Sequence, residues 1–356
     1  MLYNFRDDRG WALAVFFCLA VLVISGVAWL ELWSQVRHFW YADWENFGWT
    51  EANGYDYPPP VFGSGIELTD DALARSDGYV EHSHFLRRLI TYPFFWVGLQ
   101  LGINPHIVYS MALPIFTSLT YFLAARIAAF CSGKALSTMG LIFLLPIAGL
   151  FVFMHGRMPL AFLGYALVTW TVLSEGDIWQ PQKVLIATLG IFISAVSSGT
   201  MLVCLFIFFM FCTITAFVQK TLKPFVGMLF VAAIFYIPIE SAVIKVVLFY
   251  GGGLQGAILT LSHGFGSVFF VFDSIVLSLL VVLGFLIVVF LIFYALLVLT
   301  GSWKVPLLTI VTASIGAFGF SILALALFSG TVMLVVILES SRASQLGSWL
   351  VSKLAG

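Results

Sequence analysis

The sequence predicts an all-α, polytopic transmembrane helical bundle, and two observations lead to that fold class. The chain has 356 residues, of which 61% are hydrophobic and only 9% are charged, and its mean hydropathy is +1.06. Apolar runs of about 18 residues or more recur from Trp11 to Glu339, and each is long enough to cross about 30 Å of hydrocarbon. Because backbone polar groups in lipid must be paired within a helix, we expect one transmembrane domain over 1–356, with about nine to eleven spans.

The apolar runs define the individual elements. The first run, after "MLYNFRDDRG", is too long for the core of a signal peptide and is interpreted as a retained helix. The last three runs are too long for one simple crossing, so each is expected to hold a tilted helix with an extension, or a hairpin. The predicted spans are roughly 11–31, 107–131, 136–154, 159–175, 184–199, 200–219, 224–250, 268–300 and 305–339.

The positive charges predict the orientation of the bundle. The apolar stretch 89–102 is short and contains Pro93, so it is interpreted as interfacial or re-entrant. The remaining basic clusters then fall on the same side as Arg6 and Arg9, which the positive-inside rule makes the cytoplasm. Region 32–104 is accordingly expected to form an outward-facing loop with interfacial helices. The basic residues placed on the cytoplasmic side are Arg126, Lys134, Lys183, Lys220, Lys223 and Lys304.

The first part of the outward loop, "ELWSQVRHFWYADWENFGW", combines aromatic rings with carboxylates. One interpretation is an interfacial aromatic belt. The other is sugar binding, in which Tyr41 and Trp44 stack on pyranose rings. In that case Asp43 or Glu45 is positioned to act as the general base for an attacking hydroxyl.

The second part, "DGYVEHSHFLRRL", concentrates ionisable groups beside a membrane stretch. On a helix, Glu81, His84 and Arg88 share one face. Basic residues at such an entrance bind anionic head groups or phosphates, so Arg87 and Arg88 are candidate substrate ligands, and Glu81 and His84 are included with them as substrate-binding candidates. Surface solvation remains the alternative. His82 supplies a further metal-ligand type, but no fourth ligand is evident, and no metal or other cofactor is predicted.

The turn "MHGRMPL" places Arg157 on the outward side, against the positive-inside trend. Pro159 is expected to open the next helix, whose N-terminus carries partial positive charge. Arg157 adds a forked donor to a region already suited to an anion, so it is a candidate phosphate ligand. His155 is either a proton donor to a leaving phosphate oxygen or polar filler.

Five ionisable residues lie in or near apolar runs. They are functional candidates, because placing a charged side chain inside a membrane is energetically costly. They are Arg126, Glu240, Lys245, Asp273 and Glu339.

The order of these features resembles the EpsG/Wzy-type polysaccharide polymerases, which are membrane glycosyltransferases of the GT-C architectural kind. The resemblance rests on a first span followed by "ADWENF", on "RMPLAF" opening a helix, and on a later outward end at "ISAVSSGTMLV". The chain departs from the family pattern at 197–200, where "SSGT" replaces an expected His-x-Ser stretch.

The resemblance implies an enzyme that polymerises oligosaccharide units carried on undecaprenyl diphosphate, at the periplasmic face of a bacterial cytoplasmic membrane. Its implied partners are the polyprenyl-diphosphate-linked oligosaccharide, membrane lipid, and a chain-length regulator or other polysaccharide-assembly proteins. The net charge of −1 gives no indication of nucleic acid. A flippase or proton-coupled transporter of a lipid-linked or sugar substrate is the main alternative, followed by a membrane acyl- or phosphotransferase.

Overall fold

The computed structural model describes residues 105–147, 158–240, 275–300, 303–316 and 320–339, with scattered positions within 12–20 and 86–102. Over these residues the regular secondary structure is helical and contains no strand. The prediction of an all-α chain is therefore confirmed for the described part. Its helices are α1 Pro105–Ser132, α2 Thr138–Phe143, α3 Met158–Leu173, α4 Pro181–Ser194, α5 Ser198–Gln219, α6 Lys223–Ile234, α7 Ile275–Thr300, α8 Lys304–Gly316 and α9 Phe320–Glu339.

Two of these helices contain segments long and apolar enough to cross a membrane. They are Met111–Ser132 in α1 and Gly199–Gln219 in α5, with mean hydropathies of 1.5 and 2.7. Several shorter apolar helices accompany them, among them α3 and α4. The described residues therefore contain two candidate membrane spans, which is compatible with a membrane protein.

Proline shortens two of the predicted spans. In the span predicted over 136–154, α2 ends at Phe143, because Pro146 has no N–H to bond the carbonyl of Ile142. In the span predicted over 224–250, α6 ends at Ile234 for the same reason, since Pro238 stands four residues later. Helical geometry resumes at 236–240. Over the residues described, each of these two runs is therefore a helix interrupted by a turn, at Leu144 in the first and at Phe235 in the second.

The run 305–339 holds two helices, α8 and α9, which pack against each other. This is the arrangement expected of a hairpin, one of the two alternatives predicted for this run. Hydrogen bonds between buried hydroxyl groups connect these two helices to α3. The Tyr165 hydroxyl lies 2.9 Å from Thr312 Oγ1 in α8 and also bonds Ser329 Oγ in α9. Thr312 donates its proton to the carbonyl of Leu308, so Tyr165 donates to Thr312 and accepts from Ser329. The interior at this point is neutral and hydrogen-bonded.

Helices α3 and α4 approach each other until their backbones touch. A Cβ on Gly164 would lie 2.4 Å from the carbonyl oxygen of Gly190 and 2.6 Å from the amide nitrogen of Ser194. Only a residue without a side chain fits there, as is typical of closely packed membrane helices. This contact fixes α3 against α4 and thereby sets the positions of their ends.

Most of the described helices have one terminus at the same end of the bundle, which we call the polar end. Phe130 of α1 and Trp170 of α3 have ring centroids 5.9 Å apart, so these two helices finish side by side. Lys134, just after α1, pairs with Glu339 at the end of α9 at 3.2 Å. The loop before α4, the end of α5 and the start of α8 line one cavity. The polar end carries Lys134, Glu175, Asp177, Lys183, Lys220, Lys223, Lys304 and Glu339.

The predicted gathering of the basic residues on one side is therefore confirmed for those described. Arg126 lies about two turns before the end of α1, with its guanidinium 6.0 Å from the ring centroids of Phe122 and Trp170. Arg6 and Arg9 lie outside the described residues.

The opposite end of the bundle holds the starts of α3 and α5. Leu160 and Ala161, in the first turn of α3, pack with Val196 of the α4–α5 turn and with Leu113 of α1. Phe94 packs edge-on against Phe116, with centroids 5.9 Å apart. The turns around 158 and 197–200 were predicted to share a side, and this contact confirms it for the described residues.

Candidate functional site

The residues predicted to bind and process substrate lie outside the described part of the chain, so their predicted roles stay predictions. These residues are Tyr41, Asp43, Trp44, Glu45, Glu81, His84, Arg87, Arg88, His155 and Arg157. Lys245 and Asp273, the other two predicted intramembrane charges, also lie outside it. The described residues nonetheless define the scaffold at both ends of the bundle.

At the opposite end, α3 begins at Met158, immediately after Arg157 in the sequence, and Pro159 stands in its first turn. Proline suits this position because it has no N–H to leave unpaired and its φ is already helical. Pro159 and Leu160 are buried, with Leu160 only 4% exposed. The predicted start of this helix is thus confirmed, and its first turn is anchored in the core.

Helix α5 starts beside it without a side-chain cap. Ser197, the residue before the helix, is extended and makes no capping hydrogen bond. Thr200 is fully buried, and its hydroxyl has no hydrogen-bond partner among the described residues. Space is open above Gly199, since a Cβ there would meet nothing within 4 Å. The start of α5 therefore combines free helical N–H groups with an unused hydroxyl.

Helices α3 and α5 run in the same direction, from the opposite end to the polar end. Both N-termini, with their partial positive charge, therefore point to one side of the bundle. N-termini of this kind attract phosphate and carboxylate groups. Electrostatically, the described part of this end favours an anion although it carries no lysine or arginine of its own.

The polar end contains a second candidate site, which the sequence reasoning missed. It is a cavity of about 120 Å³ between the loop after α3, the end of α5 and the start of α8. We call it the polar-end cavity. It is lined by Gly176, Asp177, Ile178, Thr215, Val218, Gln219, Trp303 and Lys304. The only signal for it in the sequence is the pair Trp303–Lys304 at a helix start, and the opposing loop cannot be recognised without the fold.

Lys183 holds the loop that forms one wall of the polar-end cavity. Its Nζ donates to the carbonyl oxygens of Ser174 at 2.9 Å and Gly176 at 3.1 Å. Gly176 has φ +93°, a left-handed conformation that favours glycine. Lys183 precedes the predicted span 184–199. Burial, and then repulsion from Lys304, lower the pKa of Lys183 from 10.5 to about 8.

Lys304 precedes the predicted span 305–339 and faces the same region. Burial lowers the pKa of Lys304, while attraction from Asp177 raises it. The two lysines therefore compete for one nearby carboxylate. Two ammonium groups therefore face one carboxylate in this part of the polar end, and the positive charge is in excess.

Besides Arg126, the structure describes two of the predicted intramembrane charges, Glu339 and Glu240. Glu339 is 6% exposed and forms a salt bridge with Lys134, so it is paired as membrane charges usually are. Glu240 is exposed at the end of the helical residues 236–240, about 17 residues beyond the polar end.

Comparison with known proteins adds no assignment to this geometry, since no family model, curated protein or solved structure matches the chain.

Proposed function

We propose that the chain is a membrane glycosyltransferase that polymerises lipid-linked oligosaccharide units at the opposite end of the bundle. The observation that carries this proposal is the convergence of the α3 and α5 N-termini at that end, directly after "HGR" in the sequence. A diphosphate needs fixed donors at the membrane surface, and two helix N-termini, one of them directly preceded by an arginine, would supply them. The proposed fold is a GT-C-like polytopic bundle of about nine to eleven spans.

In the proposed reaction, the hydroxyl of an acceptor sugar attacks the anomeric carbon of the donor sugar. Asp43 or Glu45 takes the hydroxyl proton, and the bond between the anomeric carbon and the phosphate oxygen breaks. Undecaprenyl diphosphate leaves with the bonding electrons. Arg157, with Arg87 or Arg88, offsets its developing charge, and His155 is placed to protonate it.

The charges of the polar end support one orientation of the proposed bundle in the membrane. The polar end carries five lysines against three carboxylates, so the positive-inside rule favours the cytoplasm for that end. The N-terminus would then be cytoplasmic and the opposite end would face the periplasm of a bacterial inner membrane. Lipid-linked repeat units are available for polymerisation on that face.

Among the residues that the structure describes, the distribution of charge supports an enzyme over a carrier. An ion-coupled carrier needs ionisable groups near the middle of the membrane, facing the interior of the bundle. In the described part of the chain, the lysines, the arginine and the carboxylates other than Glu240 lie near the polar end, and Glu240 is exposed. The described interior contains hydroxyl pairs such as that of Tyr165 and Thr312, which are neutral.

The test replaces Arg157 with Ala and with Lys in a producing strain and measures the length distribution of the surface polysaccharide. We expect Arg157→Ala to leave single-repeat products at normal membrane abundance, with partial recovery in Arg157→Lys because the charge remains without the fork. Lys220→Ala removes an exposed lysine at the polar end and is the matched control. Unchanged chain length in both Arg157 variants would overturn the proposal.

A further inference from the structure

The polar-end cavity contains two opposite charges that do not pair with each other. The ammonium of Lys304 and the carboxylate of Asp177 both line it, and neither forms a hydrogen bond or ion pair with a described residue. The two groups are therefore farther apart than the 4.0 Å of a salt bridge. Three other charged groups at this end do have partners, since Lys134 pairs with Glu339 and Lys183 donates to two carbonyls.

The cavity is large enough for more than water. Its volume of about 120 Å³ is well above the roughly 10–15 Å³ that one water needs. Thr215 and Gln219 add hydroxyl and amide groups, and the indole of Trp303 forms an aromatic wall. That indole is stacked on Phe211, with centroids 5.8 Å apart and an interplanar angle of 19°, so the wall is held in place.

The two charges that line the cavity, those of Lys304 and Asp177, disfavour a simple ion as a ligand of both. A free anion that bound Lys304 would be repelled by Asp177, and a metal cation that bound Asp177 would be repelled by Lys304. A molecule carrying both signs of charge satisfies both side chains, because each of its ends meets an opposite charge.

We propose that the polar-end cavity binds a phosphate ester bearing a primary ammonium group, with the phosphate on Lys304 and the ammonium on Asp177. This is the chemistry of a phosphoethanolamine headgroup. The site lies where α5 ends and α8 begins, at the level at which apolar helices leave a membrane and lipid headgroups begin. It is at the other end of the bundle from the proposed polymerisation site and does not depend on that function.

The test measures lipid binding by native mass spectrometry of the purified full chain. Phosphatidylethanolamine and phosphatidylglycerol of identical acyl chains are titrated separately into the wild type, Asp177→Asn and Lys304→Gln. We expect both variants to bind phosphatidylethanolamine about fivefold more weakly, the effect of losing one charge contact near the surface. Phosphatidylglycerol has no ammonium, so its binding should weaken in Lys304→Gln and stay equal or tighten in Asp177→Asn.

Lys220→Gln is the matched control, because Lys220 is exposed at the same end and does not line the cavity. Unchanged phosphatidylethanolamine binding in Asp177→Asn, or tighter binding of both lipids, would overturn the proposal. An equal loss of phosphatidylethanolamine binding in Lys220→Gln would also overturn it, because the effect would then be one of general surface charge.

Free O-phosphoethanolamine identifies the source of the ligand. Its displacement of phosphatidylethanolamine from the wild type, lost in Asp177→Asn, would assign a soluble phosphate ester. Retention of the lipid at every concentration would assign the membrane headgroup. Either result supports the proposed chemistry when the two cavity variants behave as stated above.

Discussion

The contact between Glu339 and the turn before α2 gives a prediction whose sign depends on the genetic background. Glu339 accepts hydrogen bonds from the N–H of Ser137 at 3.1 Å and from the Ser137 hydroxyl, and it pairs with Lys134 at 3.2 Å. The carboxylate also occupies the space above Gly140, where an added Cβ would lie 2.5 Å from its oxygen. Gly140→Ala should therefore destabilise the wild type and stabilise Glu339→Ala.

The size of each expected change in unfolding free energy depends on how exposed the altered side chain and its partners are. Lys134 has a side chain 48% exposed, so Lys134→Ala should cost less than about 1 kcal/mol of unfolding free energy. Glu339→Ala also removes two charge-assisted hydrogen bonds, and because Ser137 is exposed, water replaces part of them. We expect a cost of about 2–3 kcal/mol. Gly140→Ala should cost about 1–2 kcal/mol in the wild type from crowding. In Glu339→Ala it should gain up to about 1 kcal/mol, from the higher helix propensity of alanine.

The assay is thermal unfolding in detergent, followed with a fluorogenic thiol dye. Cys204 and Cys212 are free and fully buried, so they react only when the bundle opens. The four proteins, wild type, both single variants and the double variant, form a double-mutant cycle. An equal shift of the unfolding midpoint by Gly140→Ala in both backgrounds would refute the reasoning, because the carboxylate would then not be what fills the space.

Three further predictions concern packing, pH and the proposed substrate site. Gly164→Ala should cost about 1–3 kcal/mol, because α3 and α4 must separate, whereas Gly330→Ala, with nothing within 4 Å of its added Cβ, should be neutral or stabilising by the same thiol assay. Lys183 binds a proton less readily in the folded state, since its pKa falls from 10.5 to about 8. Between these pH values the unfolded chain binds more protons, so stability should rise with pH, and the rise should be smaller in Lys183→Met. Tryptophan fluorescence at pH 7.5 and 9.5 checks this, and equal slopes in the two proteins would contradict it. Thr200→Val keeps the buried volume but removes the free hydroxyl, so surface-polysaccharide chains should shorten at normal abundance, whereas unchanged chains would remove Thr200 from the proposed site.

The sequence predicted those parts of the fold that depend on local pattern. Hydropathy located α1 and α5 to within a few residues, and Pro159 marked the first turn of α3. The basic clusters predicted which helix ends lie together, because lysines are excluded from the middle of apolar runs. The ends of α2 and α6 could also have been predicted from Pro146 and Pro238, which follow them within four residues, but the continuous apolar runs led to longer predicted spans.

Features formed between distant segments could not be predicted in this way. Glu339 and Ser137 are 202 residues apart in the chain, and no local pattern indicates that they meet. The same holds for Asp177 and Lys304 across the polar-end cavity and for Tyr165 with Ser329. These contacts depend on how the helices are arranged around one another, which a single sequence does not encode in periodicity or composition.

The central claim is that the chain joins lipid-linked oligosaccharides, and reconstitution tests it most directly. The purified full chain is placed in liposomes with an undecaprenyl-diphosphate-linked oligosaccharide from a producing strain, and the products are separated by size. The account predicts a ladder of products longer than one repeat unit, with release of undecaprenyl diphosphate, and loss of both in Arg157→Ala. Movement of the oligosaccharide lipid across the bilayer at unchanged length would contradict the account and identify the chain as a carrier.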